Sequence, residues 1–480
     1  MTHDPGRLEE ARRLDAEGRH EEAVSAFRDF LDVHPDATEG WNDLAGLLLF
    51  LGRPEEAEDA CDMALRLDPR HYEALVHSAC CKMHRGSFEA SEDQFLEALA
   101  LDPSRIAGRL MFADCLVRQA KLDQARDLLE KILLQAPDHA ITLDRLNTLL
   151  ALQGDWPGLR KGMERQLTRY TGAEAEYVAS HLDLLFGDMP RGWARFESRL
   201  GMPGRIPPEF AFPQPRWQGQ PFPGRTLLLT WEQGYGDTLM FLRLAPLAKA
   251  RGGRVVVAVQ PALVEIAATC AGIDQVVGSG QPLPPFDLHA SLLSLPALLG
   301  LGLDSIPADI PYLGVPASVP DREAIDRLLA ASAGQVRVGV CWAGSQQHPR
   351  DAKRSLPAAA LAPLGALPHV AWHDFQFGGE GQAPLPGLAA LGPLLHGFPN
   401  TAYALSGIDL LITVDTVLAH LAGALGLPTF LLLSFIPDWR WMLGREDSPW
   451  YPTLRLYRQH APGDWGSALE QMIQDLATDG

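Results

Sequence analysis

Asp415, Thr416 and His420 lie in a stretch whose residue types suit the binding and release of a phosphate. Leu410 to Val414 is an unbroken apolar run that reads as a buried parallel strand. The polar pair Asp415-Thr416 follows, then a short helix of small residues (Ala419, Ala422, Gly423, Ala424), and then a second strand from Thr429 to Leu433. A strand running straight into a helix N-terminus offers unpaired backbone N–H groups and the positive end of the helix dipole to an anion. In a doubly wound sheet that strand end is also the edge where ligands bind. The plainer alternative is an ordinary strand–helix unit with Asp415 or Thr416 as its N-cap.

A second loop of this kind follows the apolar run Thr226 to Trp231. It reads Glu232-Gln233-Gly234-Tyr235-Gly236-Asp237-Thr238, with a helix expected from about Leu239 to Ala250. Gly234 and Gly236 allow a backbone path that other residues would block and let a substrate come close. Leu239 stands where a dinucleotide fingerprint needs its third glycine, and no Gly-Lys-[Ser/Thr] follows, so neither the nicotinamide motif nor the P-loop is satisfied. Asp237 suits either a helix cap or a general base, and Glu232 is a second carboxylate able to share or replace that role.

A third loop follows the strand at Val336. Past Gly344 it carries Arg350, Lys353, Arg354 and Ser355, and its cations would neutralise a diphosphate. Gln376 ends the next strand, Val370 to Phe375. Beyond Leu433, Phe435 to Trp441 holds Asp438 and Arg440 as candidate sugar or phosphate contacts, with Trp439 and Trp441 packed beneath. The chain has no Asp-x-Asp and no His/Cys cluster at ligand spacing, so no metal is expected.

The elements that would carry these loops alternate strand and helix, as in parallel sheets covered on both faces. Ahead of them the chain repeats itself. Pro35, Pro69, Pro103 and Pro137 fall 34 residues apart; Gly18, Gly52, Gly86, Ala120 and Gly154 keep the step, as do Ala23, Ala57, Ser91, Ala125 and Leu159. Small residues suit the close crossing of antiparallel helices, and Pro ends the second helix of each pair. The period resembles that of the tetratricopeptide repeat. Four copies cover about residues 4–139, and a degenerate fifth pair with Gly154 and Trp156 reads as a terminal cap. Trp41, Met63, Tyr72, Met83, Phe95 and Phe112 read as core, and of Cys80 and Cys81 one reads as buried and one as flanking. Such arrays bind protein segments or act as scaffolding arms. Helices from about Glu174 to Leu200, broken near Gly187, and a Pro-rich linker from 201 to 224 join the halves, and the interleaved Phe210, Phe212, Trp217 and Phe222 suggest that this linker is laid over the next domain.

The 480 residues suffice for about three domains. No apolar run is long enough to span a bilayer, and the N-terminus lacks a signal-peptide core. The six cysteines read as buried thiols of a reducing compartment, so a cytoplasmic location is expected. A net charge of −19 argues against nucleic acid as partner. Residues 1–150 hold 17 Lys and Arg against 30 Asp and Glu, an acidity that suits either a basic or polar protein partner or a solvated surface.

The Asp415-Thr416, His420 and Ala422-to-Thr429 block resembles the signature of the heptosyltransferase-like glycosyltransferases (family 9). The resemblance implies a GT-B fold: a solenoid (1–172), connecting helices and linker (173–224), an acceptor-side Rossmann-like domain (225–330) and a nucleotide-sugar domain (331–480). It implies that Asp237 is the catalytic base. It also implies that Gly234, Gly236, Thr238, Lys353, Arg354, Ser355, Gln376, Asp415, Thr416, His420 and Arg440 contact the donor, with Lys353 or Arg354 meeting its phosphates. It further implies inversion, no cofactor beyond the nucleotide-sugar co-substrate, and a C-terminal helix (Asp464 to Leu476) crossing back over the first Rossmann-like domain. Bacterial proteins of this layout resemble protein glycosyltransferases, some acting on flagellin, so a protein acceptor held by the repeats is expected. The alternatives are a catalytically degenerate scaffold and a transferase acting on a lipopolysaccharide-type glycan.

Overall fold

The computed structural model describes residues 5–168, 170–205, 207–344, 351–377 and 385–478. The chain divides into two compact units, Met1–Gln166 and Leu167–Gly480.

The first unit is a solenoid of helix pairs: α1 (Pro5–Ala16) with α2 (His20–Val33), α3 (Thr38–Phe50) with α4 (Pro54–Leu67), α5 (Tyr72–His84) with α6 (Phe88–Leu101), α7 (Ile106–Arg118) with α8 (Leu122–Gln135), and α9 (Ala140–Leu152) with α10 (Trp156–Leu167). Each second helix presents an apolar stripe at helical spacing; in α2 it is Ala23, Val24, Phe27, Phe30 and Leu31. The two small-residue series have different tasks. Ala23, Ala57, Ser91, Ala125 and Leu159 are fully buried where helices cross. Gly18, Gly52, Gly86, Ala120 and Gly154 instead form the turns, all with left-handed backbones (φ 77, 71, 76, 58 and 68°), and a side chain at those glycines would meet only open space. Conformation, not crowding, selects glycine there. Cys80 and Cys81 are both buried, which corrects the expected buried-and-flanking arrangement.

The second unit begins with a helix hairpin, α11 (Gly172–Leu185) and α12 (Met189–Phe196). Then come β1 (Thr226–Thr230), α13 (Tyr235–Leu242), α14 (Ala245–Lys249), β2 (Arg254–Val259), α15 (Val264–Ala267), β3 (Gln275–Gly278), β4 (Leu288–Ser291) and α16 (Leu295–Leu298). After α17 (Arg322–Ala330) follow β5 (Val336–Cys341), α18 (Asp351–Arg354), β6 (Val370–Asp374), α19 (Phe398–Ser406), β7 (Leu410–Val414), α20 (Val417–Leu425), β8 (Thr429–Leu433), β9 (Leu454–Arg458) and α21 (Trp465–Thr478).

The strands form two parallel sheets, in the orders β3-β2-β1-β4 and β6-β5-β7-β8-β9. Strand order reverses between β1 and β4 in one sheet and between β5 and β7 in the other, and ligands settle at the C-terminal ends of such junctions. The connection from each strand to its parallel neighbour requires a crossover, which the intervening helices supply.

Two expectations are corrected and one is met. The helix after β1 starts four residues early, at Tyr235, and breaks after Leu242. Pro246 has no N–H to give to the Leu242 carbonyl, so the helix restarts as α14. The segment at 201–224 is laid over the next domain, as its interleaved aromatics suggest: Phe210, Trp217 and Phe222 are buried, and the Trp217 amide donates to the His289 carbonyl (2.8 Å) beside β4. Finally, α21 does not cross back over the first sheet. Its apolar face (Trp465, Ala468, Leu469, Met472) packs in one core with Val338, Ile412 and Leu432 of the second.

Candidate functional site

The site is built where α13 of one sheet packs against α20 of the other. Small residues permit the approach. A side chain at Gly236 would lie 2.7 Å from His420 Cδ2, and one at Gly423 would lie 2.4 Å from the Tyr451 ring. The Ala-Gly-Ala run of α20 is therefore a packing surface. Thr416 is the N-cap of α20, its hydroxyl accepting from the Leu418 amide (3.3 Å). Gly426 ends that helix in a left-handed turn.

At the head of α13 the cap is Gly234, and Asp237 sits three residues inside. Its Oδ2 accepts from the Gly234 amide (2.9 Å), and its Oδ1 pairs with Arg440. The two glycines have ordinary backbone angles; the left-handed residue is Gln233 (φ 100°). A non-glycine residue held there stores backbone strain of about 1–3 kcal/mol at the strand's C-terminal loop.

Arg440 lies in the turn after β8. It also pairs with Asp438 (2.6 Å) and stacks on Trp439 (4.3 Å to the ring centre). Asp415 stands beside this group, half-buried. Burial, with Asp438 close by, pushes its carboxyl up to about 6. Arg354 donates to the Asp415 carbonyl (2.9 Å), lies over Gly344, and is tied to Asp351 (3.3 Å). Burial, reinforced by Arg440, pushes His420 down to about 3, so the ring is neutral. Its Nδ1 meets the Tyr451 hydroxyl (2.9 Å), it stacks on Trp441 (5.4 Å), and its Cδ2–Nε2 edge faces Gly236.

Asp237, Gly236, Arg354, Asp415, Thr416, His420 and Arg440 therefore converge, with Gly234 at the head of α13. The remaining expected contacts do not join them. Thr238 is fully buried and donates to Gln260 (2.9 Å). Gln376 takes the amides of Trp342 and Ala343 (3.2 and 2.9 Å), so it holds the loop after β5. Ser355 accepts from the Gly344 amide and donates to Asp351 within that same loop. Lys353 is exposed while Arg354 reaches the site. Arg350 lies outside the described residues.

Glu232 is no alternative base. It is buried in a two-point ion pair with Arg199 (2.7 and 2.8 Å) and accepts from Ser291 (2.6 Å). The sequence reading missed Arg199, Tyr451 and Arg243. Arg243 at the end of α13 donates to the Trp450 carbonyl and lies 4.5 Å from the centres of the Tyr312 and Tyr451 rings, joining the two sheets. Arg199 ends the connecting-helix segment, and Tyr451 and Arg243 stand in no motif, so nothing local marks the partners of any of the three.

Each unit holds a cavity. One of about 400 Å³ opens at the C-terminal ends of β2 and β3, lined by Pro261, Glu265, Gln281, His396 and Asn400. The other, about 270 Å³, lies in the solenoid between α1, α3 and α5, lined by Arg12, Asp15, Asn42, Asp43 and His77. In the latter, Asn42 Oδ1 and His77 Nδ1 are buried without a hydrogen-bond partner, and burial pushes His77 down to about 4. Among the described residues no three His, Cys, Asp or Glu side chains cluster as metal ligands, and no helix is long and apolar enough to cross a membrane.

Among solved structures, a tetratricopeptide repeat protein from Parabacteroides merdae is 18% identical, matching 41% of this chain and 77% of that one at a TM-score of 0.33. Pseudomonas aeruginosa PilF is 18% identical over 42% of this chain and 92% of its own, at 0.34. Protein FlbA of Caulobacter vibrioides is homologous, 26% identical over 332 residues; the match spans 63% of this chain and about half (55%) of that protein. Residues 8–72 and 82–150 match tetratricopeptide-repeat models, so the N-terminal unit is a tetratricopeptide-repeat solenoid, a module for binding protein segments.

Proposed function

We propose that residues 167–480 form a GT-B glycosyltransferase of the heptosyltransferase-like type. In this reading it moves a sugar from a nucleotide-sugar to a protein acceptor, flagellin being one candidate, held by the repeats. One observation carries the reading. The loop at the reversal point of the first sheet, which brings the carboxylate of Asp237, meets the head of α20 at the reversal point of the second, where Arg354 comes from the helix after β5 and Arg440 from the turn after β8. A transfer of this kind needs a carboxylate on the acceptor side and fixed positive charge on the leaving-group side.

In the proposed reaction the acceptor hydroxyl enters beside Asp237. Its oxygen bonds to the anomeric carbon as the carbon–phosphate oxygen bond breaks, inverting that centre. The proton passes to Asp237, and the electron pair leaves with the nucleoside diphosphate. Arg354, Arg440 and the first amides of α20 meet that charge, so no metal is required. His420, neutral, supplies a hydrogen-bonding edge rather than a cation. The cavity at β2 and β3 is the proposed path of the acceptor segment. The solenoid groove, with its unpartnered Asn42 and His77 atoms, is the proposed place where the acceptor protein docks. Buried, unpaired cysteines fit a cytoplasmic enzyme.

The test is a thermal-shift and calorimetric screen of nucleoside diphosphates and nucleotide-sugars on the intact chain. One nucleotide should raise the melting temperature, since a ligand of the native state stabilises it, and Arg354→Ala should abolish the rise. If no nucleotide binds, the scaffold reading takes its place. That second reading draws on the pairing of Asp237 with Arg440, which leaves neither group unengaged.

A further inference from the structure

Arg440 holds two carboxylates that differ in kind. Asp438 lies two residues away on the same turn, pairs at 2.6 Å and also accepts from the Arg440 amide (3.2 Å), so this contact is local. Asp237 lies 203 residues away on the other sheet. Trp439 fixes the plane of the guanidinium by stacking. Asp415 stands against the same group, and Arg354 is anchored on the Asp415 carbonyl. Arg440 thus sits among Asp237, Asp415 and Asp438, while Arg354 is tied to Asp351. A diphosphate arriving there would find Arg440 already occupied.

On the glycosyltransferase reading, we infer that Arg440 is a latch that keeps Asp237 inactive until the donor binds. A guanidinium offers five N–H donors in one plane, and a diphosphate carries more charge and more acceptor oxygens than a carboxylate. The arriving diphosphate takes the arm of Arg440 that Asp237 held, while Asp438 keeps its own. Asp237 then keeps only the Gly234 amide and the helix end as anion-stabilising partners. The Oδ1 that Arg440 occupied is then open to the acceptor hydroxyl. Donor binding thereby arms the base, and the donor must bind before the acceptor can be deprotonated. Asp237 and the diphosphate are competitors for one side chain, which gives the inference its signature.

The experiment is calorimetric titration of the full chain with UDP, GDP, ADP and TDP. Asp237→Asn should bind the preferred diphosphate about 5–10-fold more tightly than wild type, because the competitor has gone. Arg440→Gln should bind it at least about 10-fold more weakly, and in the double variant the gain from Asp237→Asn should vanish. Arg440→Lys, which keeps a cation without the planar fork, replaces Arg440→Gln if the latter does not fold. An unchanged affinity in Asp237→Asn overturns the latch. So does an equal gain in both backgrounds, which would be a general charge effect. In either case binding by wild type leaves the transferase reading standing. Failure of the wild type to bind any nucleotide overturns that reading, and the latch with it.

Discussion

Arg199 and Glu232 face each other through two N–H···O bonds of 2.7 and 2.8 Å, and neither side chain reaches solvent. Arg199 comes from the turn after α12, Glu232 from the loop after β1. Ser294 accepts a further bond from Arg199 (2.9 Å), and the Phe196 carbonyl another (3.0 Å). The hairpin α11–α12 also shares one core with β1 and α13, through Leu184, Trp193, Phe196, Leu229 and Phe241. This hairpin is therefore part of the second unit.

Breaking the pair should be costly from either side. Arg199→Met leaves Glu232 as a buried charge without its cation, a loss of about 3–5 kcal/mol. Urea unfolding should show that loss, and Arg199→Met with Glu232→Gln should recover part of it. A loss under 1 kcal/mol would mean that water reaches Glu232.

Truncation at Arg225 should give an unfolded or aggregated protein, whereas a chain starting at Leu167 should fold. Under the proposed function the longer fragment binds the nucleotide but does not modify the protein acceptor. Circular dichroism and calorimetry separate these outcomes, and full acceptor transfer by the fragment would remove the recognition role of the repeats.

Ala120 is the one member of the turn series that is not glycine, with φ at 58°. The left-handed conformation costs an L-residue about 1–2 kcal/mol, partly offset in glycine by its more flexible unfolded chain. Ala120→Gly should therefore stabilise the solenoid by about 0.5–1 kcal/mol in denaturant unfolding. Gly52→Ala, at φ 71°, should do the reverse.

Asp415 gives a pH signature. Its carboxyl titrates near 6 in the folded chain against about 4 when unfolded, so the folded state disfavours the anion. Below pH 4 both states are protonated and the penalty is absent; it grows as pH rises through 6. Asp415→Asn should raise stability by about 1–3 kcal/mol at pH 7.5, with the gain fading between pH 6 and 4. Melting curves across that range decide it, and a gain that persisted at pH 4 would contradict burial of the carboxylate as the cause.

Asp237→Asn keeps the shape and the oxygen that accepts from Gly234 but cannot take a proton. Under the proposed mechanism turnover should fall about 10²–10⁴-fold, and EDTA should leave wild-type turnover unchanged. Single-turnover measurement with saturating donor tests both. Near-normal turnover would reduce Asp237 to a helix cap.

The repeat was legible because its cause is local. A turn that needs φ > 0 selects glycine at four of the five positions spaced 34 residues apart, and a Pro follows the second helix of each of the first four pairs. The strands at Leu410 and Thr429 were equally legible, since strands buried on both faces are continuous apolar runs. The polar junctions between strand and helix marked where chemistry gathers.

Side-chain partnership was decided only by tertiary structure. Nothing local distinguishes Glu232 from Asp237, five residues apart in one loop; the first is buried on Arg199, 33 residues before it, and the second faces Arg440, 203 residues after it. Lys353 and Arg354 are neighbours in sequence, yet helix geometry turns only Arg354 onto Asp415. Thr238 and Gln376 have the right types for ligand contact but face into the fold, where their hydrogen bonds are spent. Periodicity is written within a few residues, whereas an ion pair depends on how separate elements are brought together.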